Sequence, residues 1–220
     1  MANPDTTSVL ASLESARQEV DVVEIRLDAM QEFDIPALCN RIDTPLLFTN
    51  RAIWEGGNAK DPDKERIKPL LQAVEMQAAY IDLELKTPSA FRQELLEAIQ
   101  ASVTRMIISY HDFDSTPESE ILSEILHNQA ESGAHIGKIV TMARSPQDVL
   151  RVLHLQCEAQ KLDFPLIAFC MGEEGRLSRV VTLLLGGYMT YAALDESLAT
   201  APGQFSVRGL IKAIAAVTGN

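Results

Sequence analysis

The feature of the sequence that most constrains the fold is a repeated pair of residues, a hydroxyl side chain followed by proline. The pairs Thr87-Pro88, Thr116-Pro117 and Ser145-Pro146 recur at a spacing of 29 residues. Each pair follows a short apolar run and precedes an amphipathic segment, the order expected of a strand, a loop and a helix. The hydroxyl can cap N–H groups at a helix start, and proline suits the first helical position because no N–H is needed there. The repeat therefore predicts alternating strands and helices, with a helix beginning at each pair.

The apolar runs between the helices predict parallel strands. They are too short and too continuously apolar for antiparallel strands with one face in water. Extending the pattern to both ends of the chain gives seven readable strands, at 22–27, 45–49, 80–85, 106–110, 136–141, 165–170 and 188–193. Helices are predicted at 8–19, 33–41, 64–78, 88–101, 117–132, 146–160, 174–185 and 206–217.

A strand-helix repeat of about 30 residues is typical of a (β/α)8 TIM barrel or of a doubly wound sheet. Polar residues follow the C-terminal ends of many of the strands, and a barrel brings such ends to one mouth. The sequence contains no Gly-x-Gly-x-x-Gly or Gly-x-x-x-x-Gly-Lys-Ser/Thr loop, so a nucleotide cofactor is not expected. We therefore expect an α/β chain with one (β/α)8 catalytic domain over residues 1–220.

The N-terminal segment departs from the barrel pattern. Residues 1–9 offer only Thr6-Thr7-Ser8-Val9 as a first strand before a helical pattern begins. The first barrel strand is therefore expected to be weak or missing, which would expose the edges of neighbouring strands.

Composition restricts the location and the partners of the chain. Its 220 residues carry a formal net charge of −12, which disfavours a nucleic-acid partner. No apolar run is long enough to span a membrane, and the N-terminus lacks the basic and apolar stretches of a signal peptide. The three cysteines are widely spaced and contain no Cys-x-x-Cys pair, so we expect reduced thiols and no structural zinc. A cytoplasmic location is the resulting expectation.

Lys138 lies within the apolar run 136–143, where a strand ordinarily carries aliphatic side chains. An exposed lysine has a pKa of about 10.4 and is almost entirely protonated at neutral pH. A lysine that attacks a carbonyl must be desolvated or close to another cation. The alternative is a lysine at a strand end whose stem lies along the core while its head reaches water. The residue by itself leaves both interpretations open.

His111 ends the strand-like segment 106–110 in the motif Ser109-Tyr110-His111-Asp112-Phe113. A histidine at a strand end can move protons near neutral pH. It could instead form a structural pair with Asp112, or ligate a metal together with Asp112 and Asp114. Adjacent strand residues point to opposite faces, so a metal site is not expected.

Arg51 and Glu55 flank the start of a glycine-rich loop, Thr49-Asn50-Arg51-Ala52-Ile53-Trp54-Glu55-Gly56-Gly57. The arginine could bind a carboxylate through two N–H groups, and the glutamate could orient a histidine. The alternative is a solvated loop with an exposed ion pair, which fits less well because Trp54 favours burial.

Seven motifs are spaced along most of the chain. They are Glu24-Ile25-Arg26-Leu27-Asp28, Thr49-Asn50-Arg51 with Glu55-Gly56-Gly57, Asp82-Leu83-Glu84-Leu85, Ser109-Tyr110-His111-Asp112-Phe113, Lys138-Ile139-Val140, Met171-Gly172 with Ser178-Arg179, and Ala201-Pro202-Gly203-Gln204. Together, and in this order, they resemble the motifs of the type I 3-dehydroquinate dehydratase family. The resemblance implies an aldolase-like barrel enzyme of the shikimate pathway, usually a homodimer, without metal or other cofactor. Its reaction converts 3-dehydroquinate to 3-dehydroshikimate.

The resemblance also implies a role for each site residue. Lys138 would form a Schiff base with the ketone, His111 would remove the adjacent proton, and Glu55 would orient the histidine. The implied substrate-binding residues are Glu24, Arg26, Arg51, Arg179, Thr200 and Gln204. Thr200 stands where the family commonly has serine, and we expect the added methyl group to be tolerated. The serine that the family supplies from its first strand has no counterpart in residues 1–9.

Two other functions remain open. Another Schiff-base barrel enzyme of the class I aldolase type would share the Lys138 chemistry but cleave a carbon–carbon bond. A degenerate barrel without catalysis is suggested by the weak first strand. A metal-dependent lyase is less consistent with the motifs and would lose activity to a chelator.

Overall fold

The computed structural model of the protein describes residues 2–3, 5–13, 20–195 and 201–219. The chain divides into two compact units, Met1–Ile108 and Ser109–Asn220. The boundary falls inside strand β4, which spans Arg105–Asp112, so each unit contains one half of this strand.

The first unit carries strands β1, β2, β3 and the first half of β4, hydrogen-bonded in that order. The pairing of β1 with β2 and of β2 with β3 is parallel. Strand bounds are β1 Val23–Arg26, β2 Leu46–Thr49 and β3 Tyr80–Glu84. Helix bounds are α1 Thr6–Leu13, α2 Ile35–Arg41, α3 Asp63–Arg66, α4 Lys68–Glu75 and α5 Ser89–Ile99, and short 3-10 turns lie at Leu27–Ala29 and Ile53–Glu55.

The second unit carries the other half of β4 followed by β5 and β6. Strand β5, Ile136–Met142, pairs in parallel with β6, Leu166–Met171, over six residues. The helices of this unit are α6 Ser119–Ala130, α7 Pro146–Lys161, α8 Ser178–Leu184 and α9 Val207–Thr218.

Strands β2 and β6 are buried at every position, as the continuous apolar runs predicted. Both faces of such strands must be covered, and in the second unit α7 and α8 pack against β6. This burial removes water from the polar side chains at or beyond the strand ends. The prediction of buried parallel strands is confirmed for six of the seven predicted segments.

The seventh predicted strand, residues 188–193, is wrong for the described chain. The Tyr188 N–H donates to the Leu166 carbonyl at 2.9 Å, which places the start of the segment beside β6. At its other end, Ala193 pairs instead with Ser206 as an isolated bridge. Because the segment changes partner between its two ends, it forms no continuous ladder.

The N-terminal residues that offered a weak first strand begin helix α1 instead. Helix α1 starts at Thr6, and the Asp5 carboxylate accepts a hydrogen bond from the Ser8 N–H at 2.8 Å. This contact is a capping interaction, which overrides the strand preference of the Thr-Thr-Ser-Val run. In the described residues no strand precedes β1.

Only one of the three hydroxyl–proline pairs caps a helix as predicted. The Ser145 hydroxyl accepts from the Asp148 N–H, and the Asp148 carboxylate accepts from the Ser145 N–H, which together form a capping box. Helix α5 begins at Ser89, directly after Pro88, and helix α6 begins at Ser119, two residues after Pro117. The prediction of capping by Thr87 and Thr116 is wrong because their hydroxyls are buried and bind other groups.

Thr87 and Thr116 use their hydroxyls inside their own units. The Thr87 hydroxyl accepts from Arg66 Nη2 at 2.8 Å. The Thr116 hydroxyl donates to the Met142 carbonyl at 2.9 Å and lies 2.8 Å from the Thr141 hydroxyl. Among the helices that can be described, none has the length and apolarity needed to cross a membrane.

Candidate active site

In the first unit, polar residues stand at the same level of adjacent strands. The register pairs Arg26 of β1 with Thr49 of β2, and Thr49 with Asp82 of β3. The chain continues from Thr49 into the loop with Arg51, and β3 ends at Glu84. Parallel pairing therefore brings charged side chains from three strands to one edge of the sheet.

Arg51 is 3% exposed and bound by three carboxylates. Its Nη2 lies 2.8 Å from Asp82, and its Nη1 lies 3.0 Å from Glu84 and 3.7 Å from Glu55. Burial by itself lowers the pKa of the guanidinium, but the three carboxylates outweigh it and raise the pKa above its usual value. The alternative of an exposed ion pair on a solvated loop is wrong, because Arg51 and Glu55 are both buried.

Glu55 is 1% exposed and is followed by a tight turn that brings the chain back toward Arg51. Gly56 adopts a left-handed conformation with φ of 74°, and a Cβ on Gly57 would lie 2.0 Å from the Arg51 carbonyl oxygen. Burial raises the pKa of Glu55 to about 8, opposed by Arg51 and reinforced by Glu84 and Asp82. The carboxyl can therefore change its protonation state near neutral pH.

Glu24 and Arg26 have partners within the same unit. Glu24 accepts a hydrogen bond from the Thr49 hydroxyl at 2.9 Å. Arg26 donates twice to Asp28, with both distances 2.8 Å. Asp28 also accepts from the backbone N–H of Arg51 at 3.2 Å, so it links Arg26 to the loop. Burial raises the pKa of Asp28, but the hydrogen bonds and charge of Arg26 outweigh it and lower the pKa below its usual value.

In the second unit, Lys138 is the third residue of β5 and is 4% exposed. Its Nζ lies 4.3 Å from the centroid of the Tyr191 ring, within the range of a cation–π contact. Gln129 of α6, also buried, donates to the Lys138 carbonyl at 2.9 Å and ties the strand to the helix behind it. The interpretation of a strand-end lysine whose head reaches water is wrong, because the whole side chain is enclosed.

Arg179 lies in the first turn of α8 and is 1% exposed. Its guanidinium carbon lies 4.5 Å from the centroid of the Phe169 ring, and Nη2 lies 3.5 Å from the Pro202 carbonyl oxygen. Among the described residues, no carboxylate lies within ion-pair distance of Arg179, and its Nε has no hydrogen-bond partner. Burial lowers the pKa of Arg179 to about 10, and the partial compensation comes from Cys170.

Aromatic rings connect the two cations of the second unit. The Phe169 ring contacts Arg179, and the Tyr191 ring contacts Lys138. The centroids of these two rings lie 5.9 Å apart. The turn before Arg179 is fixed by Ser178, whose hydroxyl accepts from the Cys170 N–H at 2.7 Å. The four side chains Lys138, Tyr191, Phe169 and Arg179 therefore form a continuous array that we call the cation–aromatic array.

His111 and Gln204 also lie in the second unit. The half-buried His111 is near the end of β4, with its ring centroid 6.4 Å from that of Phe113. Asp112 accepts from the backbone N–H groups of Asp114 and Ser115 at 2.9 and 2.8 Å, which makes it a turn residue.

Gln204 follows a loop that is held against the turn after β6. The Gly172 N–H donates to the Pro202 carbonyl at 3.2 Å. A Cβ on Gly203 would lie 2.2 Å from the Gly172 carbonyl oxygen, so only glycine fits there. Thr200, the remaining predicted binding residue, lies outside the described residues.

Two residues of these clusters were missed by sequence reasoning. Arg66 is as deeply buried as Arg179 and binds Glu84, with 2.6 Å between Arg66 Nη1 and Glu84 Oε2. Its only sequence signal is Asp63, three residues earlier, which suggests no more than a surface helix pair. Tyr191 was assigned to a strand, and nothing in its own segment indicated a contact with Lys138.

Comparisons with known proteins identify relatives over the full length. The family model of type I 3-dehydroquinase matches residues 1–220. A 3-dehydroquinate dehydratase from Desulfotalea psychrophila is 43% identical over 187 residues, which cover 85% of this chain and 83% of that protein. One from Methanococcus maripaludis is 36% identical over 206 residues and covers 92% of each protein.

Solved structures give the same result. The crystal structure of a type I 3-dehydroquinate dehydratase from Clostridium difficile superposes with a TM-score of 0.89 at 26% identity, covering 100% of this chain and 90% of that one. The fold class predicted from the repeat, an α/β chain of the (β/α)8 barrel type, is confirmed by this match. The family suggested by the seven motifs is confirmed as well.

Proposed function

Because the chain belongs to the type I 3-dehydroquinase family and is a lyase that dehydrates 3-dehydroquinate in the shikimate pathway, we propose that Lys138, His111 and Glu55 carry the reaction. The observation that supports this assignment most is the enclosure of the Lys138 amine against the Tyr191 ring. Enclosure of this kind removes the amine from bulk water, which is a requirement for a lysine nucleophile.

The Lys138 amine attacks the ketone of 3-dehydroquinate, and loss of one water gives a protonated imine. The imine is a better electron acceptor than a ketone, so it acidifies the hydrogen on the adjacent carbon. His111 takes that proton, and the electron pair moves to form an enamine. The hydroxyl on the next carbon then leaves with a proton as water, and hydrolysis of the imine releases 3-dehydroshikimate and the lysine.

His111 works first as a base and then as an acid in this scheme. A group with these two tasks must titrate near the working pH. Glu55 supports the positive form of the histidine with its carboxylate and fixes the orientation of the ring. The pKa of Glu55, raised to about 8 by burial, makes that support dependent on pH.

Arg179 is the proposed partner of the substrate carboxylate. Its guanidinium is buried without a protein carboxylate in the described chain, so an anionic ligand would supply the missing counter-charge. The guanidinium of Arg51 is already bound by three carboxylates, and we assign it a contact with the polar part of the substrate. The other proposed contacts to the ring hydroxyls are Glu24, Arg26, Thr200 and Gln204.

We also propose one catalytic domain over residues 1–220, acting as a cytoplasmic homodimer without a metal or other cofactor. The match of the family model to the whole chain supports the single domain. The division into two compact units falls inside β4, a strand that both units share. Light scattering after gel filtration tests the dimer, and activity in the presence of a chelator tests the independence from metal.

Borohydride trapping with 3-dehydroquinate, followed by intact mass and peptide mapping, tests the mechanism. We expect a reduced adduct on Lys138 in the unsubstituted chain and in Lys86→Ala, a matched lysine control that follows strand β3. Lys138→Ala should give no adduct and no product. His111→Ala should still form the adduct but release product at least about 100-fold more slowly, the range lost with a general base.

Other outcomes would contradict the proposal. Equal loss of adduct in Lys138→Ala and His111→Ala would overturn the division of roles. An adduct without dehydration, together with cleavage of a carbon–carbon bond in a keto sugar, would favour an aldolase. A folded chain with neither adduct nor product would favour a degenerate barrel.

A further inference from the structure

We infer that Arg66 is a positioning residue for this reaction, which holds Arg51 and, through Arg51, the carboxylate of Glu55. The inference rests on the proposed role of Glu55 and adds a residue that does not touch the substrate. It is carried by the contacts of Arg66 within the first unit, where every partner is described.

All five N–H groups of the Arg66 guanidinium have an acceptor. Nε and Nη2 donate to Asp63 Oδ1 at 3.2 and 2.9 Å. Nη1 donates to the Asn50 carbonyl at 3.0 Å and to Glu84 at 2.6 Å, and Nη2 donates also to the Thr87 hydroxyl at 2.8 Å. No donor of Arg66 is left for a ligand, so any effect on catalysis must pass through these partners.

Two of these partners hold Arg51 from opposite ends. The Asn50 carbonyl belongs to the peptide group that joins Asn50 to Arg51, so Arg66 fixes the backbone at the start of the loop. The Asn50 side chain returns a hydrogen bond to the Arg66 carbonyl at 2.9 Å. Glu84 shares one carboxylate between the two arginines, with Oε2 on Arg66 and Oε1 on the Arg51 side chain.

Glu84 also fixes the backbone on the other side of Arg51. Its Oε1 accepts from the Ala52 N–H at 3.0 Å, in addition to Arg51 Nη1. Arg66 orients this carboxylate by binding Oε2, and the face of its guanidinium lies 5.4 Å from the centroid of the Trp54 ring. The loop from residue 50 to residue 54 is therefore held by one arginine that lies outside it.

The charge balance gives this arrangement a consequence for Glu55. The buried side chains of Glu55, Asp82 and Glu84 face two buried arginines, Arg51 and Arg66. Without Arg66, the ion pair with Arg51 would be the remaining one of the two described for Glu84, which would draw the Arg51 guanidinium toward Glu84 and away from Glu55. The charged groups that act on Glu55 in this unit are Arg51, Glu84, Asp82 and Lys86. Loss of Arg66 should therefore favour the protonated form of Glu55.

The experiment measures kcat/KM between pH 6 and pH 9.5 and Tm for five variants: two at Arg66, one at Glu84, their double combination and a control. Arg66→Met removes the charge and keeps the length of the side chain, and we expect kcat/KM at pH 7 to fall about 10- to 100-fold. The acid limb of the profile should move about one pH unit to higher pH, because Glu55 then loses its proton later. Arg66→Lys retains the positive charge but lacks the several N–H donors of the guanidinium. We expect its acid limb at the position found for the unsubstituted chain and its activity to be recovered only in part.

The double variant Arg66→Met with Glu84→Gln has the same net charge in the cluster as the unsubstituted chain. We expect its acid limb to return toward the original position, although Tm stays low. This variant also removes the buried charge of Glu84, which in Arg66→Met has lost one of its two arginines and lowers the stability of the fold. With Glu84→Gln as the second single variant, the coupling between the two substitutions measures how far Arg66 acts through Glu84.

Arg151→Met is the matched control for a structural ion pair. Arg151 binds Glu118 and Asp148, which lie outside the cluster around Glu55. We expect a lower Tm in this variant and an unchanged acid limb. The inference would be overturned if folded Arg66→Met had its acid limb at the same pH as the unsubstituted chain. It would also be overturned if the acid limb of the double variant stayed at the shifted pH.

The trapping experiment on the unsubstituted chain keeps the two proposals separate. Absence of an adduct on Lys138 would contradict the proposed mechanism itself. A normal adduct with an Arg66→Met profile identical in shape to that of the unsubstituted chain would contradict only the positioning role.

Discussion

Arg51 and Arg179 are both almost completely buried, one in each unit, yet burial has opposite outcomes for their charge. Arg51 is bound by three carboxylates, which raise the pKa of its guanidinium. Arg179 lies against the Phe169 ring without a carboxylate in the described residues, and burial lowers its pKa to about 10. The comparison teaches that the partner, and not the depth of burial, decides what a buried arginine does.

The charge of Arg51 is neutralised inside the protein, so this residue organises other side chains. The buried guanidinium of Arg179 has no carboxylate within ion-pair distance among the described residues, and this lowers the stability of the chain when no substrate is bound. Binding sites commonly accept such a cost because the ligand removes it. Arg51 therefore has a structural role in addition to its proposed substrate contact, whereas the role proposed for Arg179 is substrate binding alone.

The largest expected effect comes from exchanging each arginine for methionine. Arg51→Met removes the guanidinium bound by Asp82, Glu55 and Glu84, of which Glu84 keeps its ion pair with Arg66, and we expect a loss of roughly 3–5 kcal/mol of stability. For a chain of this size, Tm should fall by about 10 °C. Arg179→Met removes an uncompensated charge, so Tm should stay the same or rise, while KM for 3-dehydroquinate rises about 100-fold.

Thermal unfolding and steady-state kinetics on both variants check this contrast. Arg176→Met is a suitable control for Arg179→Met, because it lies in the preceding turn and is more exposed. A large drop of Tm in Arg179→Met would mean that its charge is compensated in the folded chain and would remove the contrast.

The next effect concerns the pH dependence of stability. Burial raises the pKa of Glu55 from its usual 4.5 to about 8, so the folded chain holds this proton more tightly than the unfolded chain. The stabilisation is complete below about pH 4.5 and is lost as the pH rises through about 8. Each unit of pKa corresponds to about 1.4 kcal/mol, or about 3–6 °C in Tm for a chain of this size.

Tm measured at pH 5 and at pH 8.5 should therefore fall by several degrees more in the unsubstituted chain than in Glu55→Gln. The amide is neutral throughout this range and contributes no such slope. Glu65→Gln, at a half-exposed position on α3, should behave like the unsubstituted chain. Parallel slopes in all three proteins would show that Glu55 titrates normally.

The smallest effect concerns the cation–aromatic array of the second unit. A cation–π contact contributes about 0.5–2 kcal/mol, so removal of the Tyr191 ring should change rates only moderately. We expect Tyr191→Leu to lower kcat/KM about 10-fold, because the Lys138 amine loses the surface against which it is placed. Tyr191→Phe keeps the ring and should stay within about two-fold.

Borohydride trapping distinguishes a placement defect from a loss of the nucleophile. The adduct on Lys138 should still form in Tyr191→Leu, although more slowly. If Tyr191→Leu and Tyr191→Phe showed similar kinetics, the effect would be due to the hydroxyl, and the contact of the Tyr191 ring with Lys138 would have no effect on the rate.

Local features of the fold were readable where neighbours in sequence supply the contact. Capping by the Ser145 hydroxyl was predicted correctly, because its partner, the Asp148 N–H, lies only three residues later. Thr87 and Thr116 occupy the same kind of dipeptide but do not cap. Their hydroxyls instead bind groups that are distant in sequence, Arg66 and the carbonyl of Met142. A repeat in the sequence does not show which distant groups will compete with the helix N–H groups for a hydroxyl.

The same division applies to the site. Lys138 could be singled out as a candidate because a lysine inside an apolar strand stands out against the pattern of β5. Tyr191 was not, since its segment resembles a strand and its contact with Lys138 depends on the fold. Arg66 was missed for the same reason, because its partners Asn50 and Glu84 lie 16 and 18 residues away.

The sequence by itself determined the order of strands and helices, the family motifs and the position of the lysine, because periodicity and spacing act over short stretches of chain. Only the tertiary structure decided that Arg51 is neutralised and that Arg179 is not. Electrostatic interactions inside a protein depend on which distant side chains share a space from which water is excluded. That arrangement separates Arg51, whose charge is met by protein carboxylates, from Arg179, which is proposed to pair with the carboxylate of the substrate.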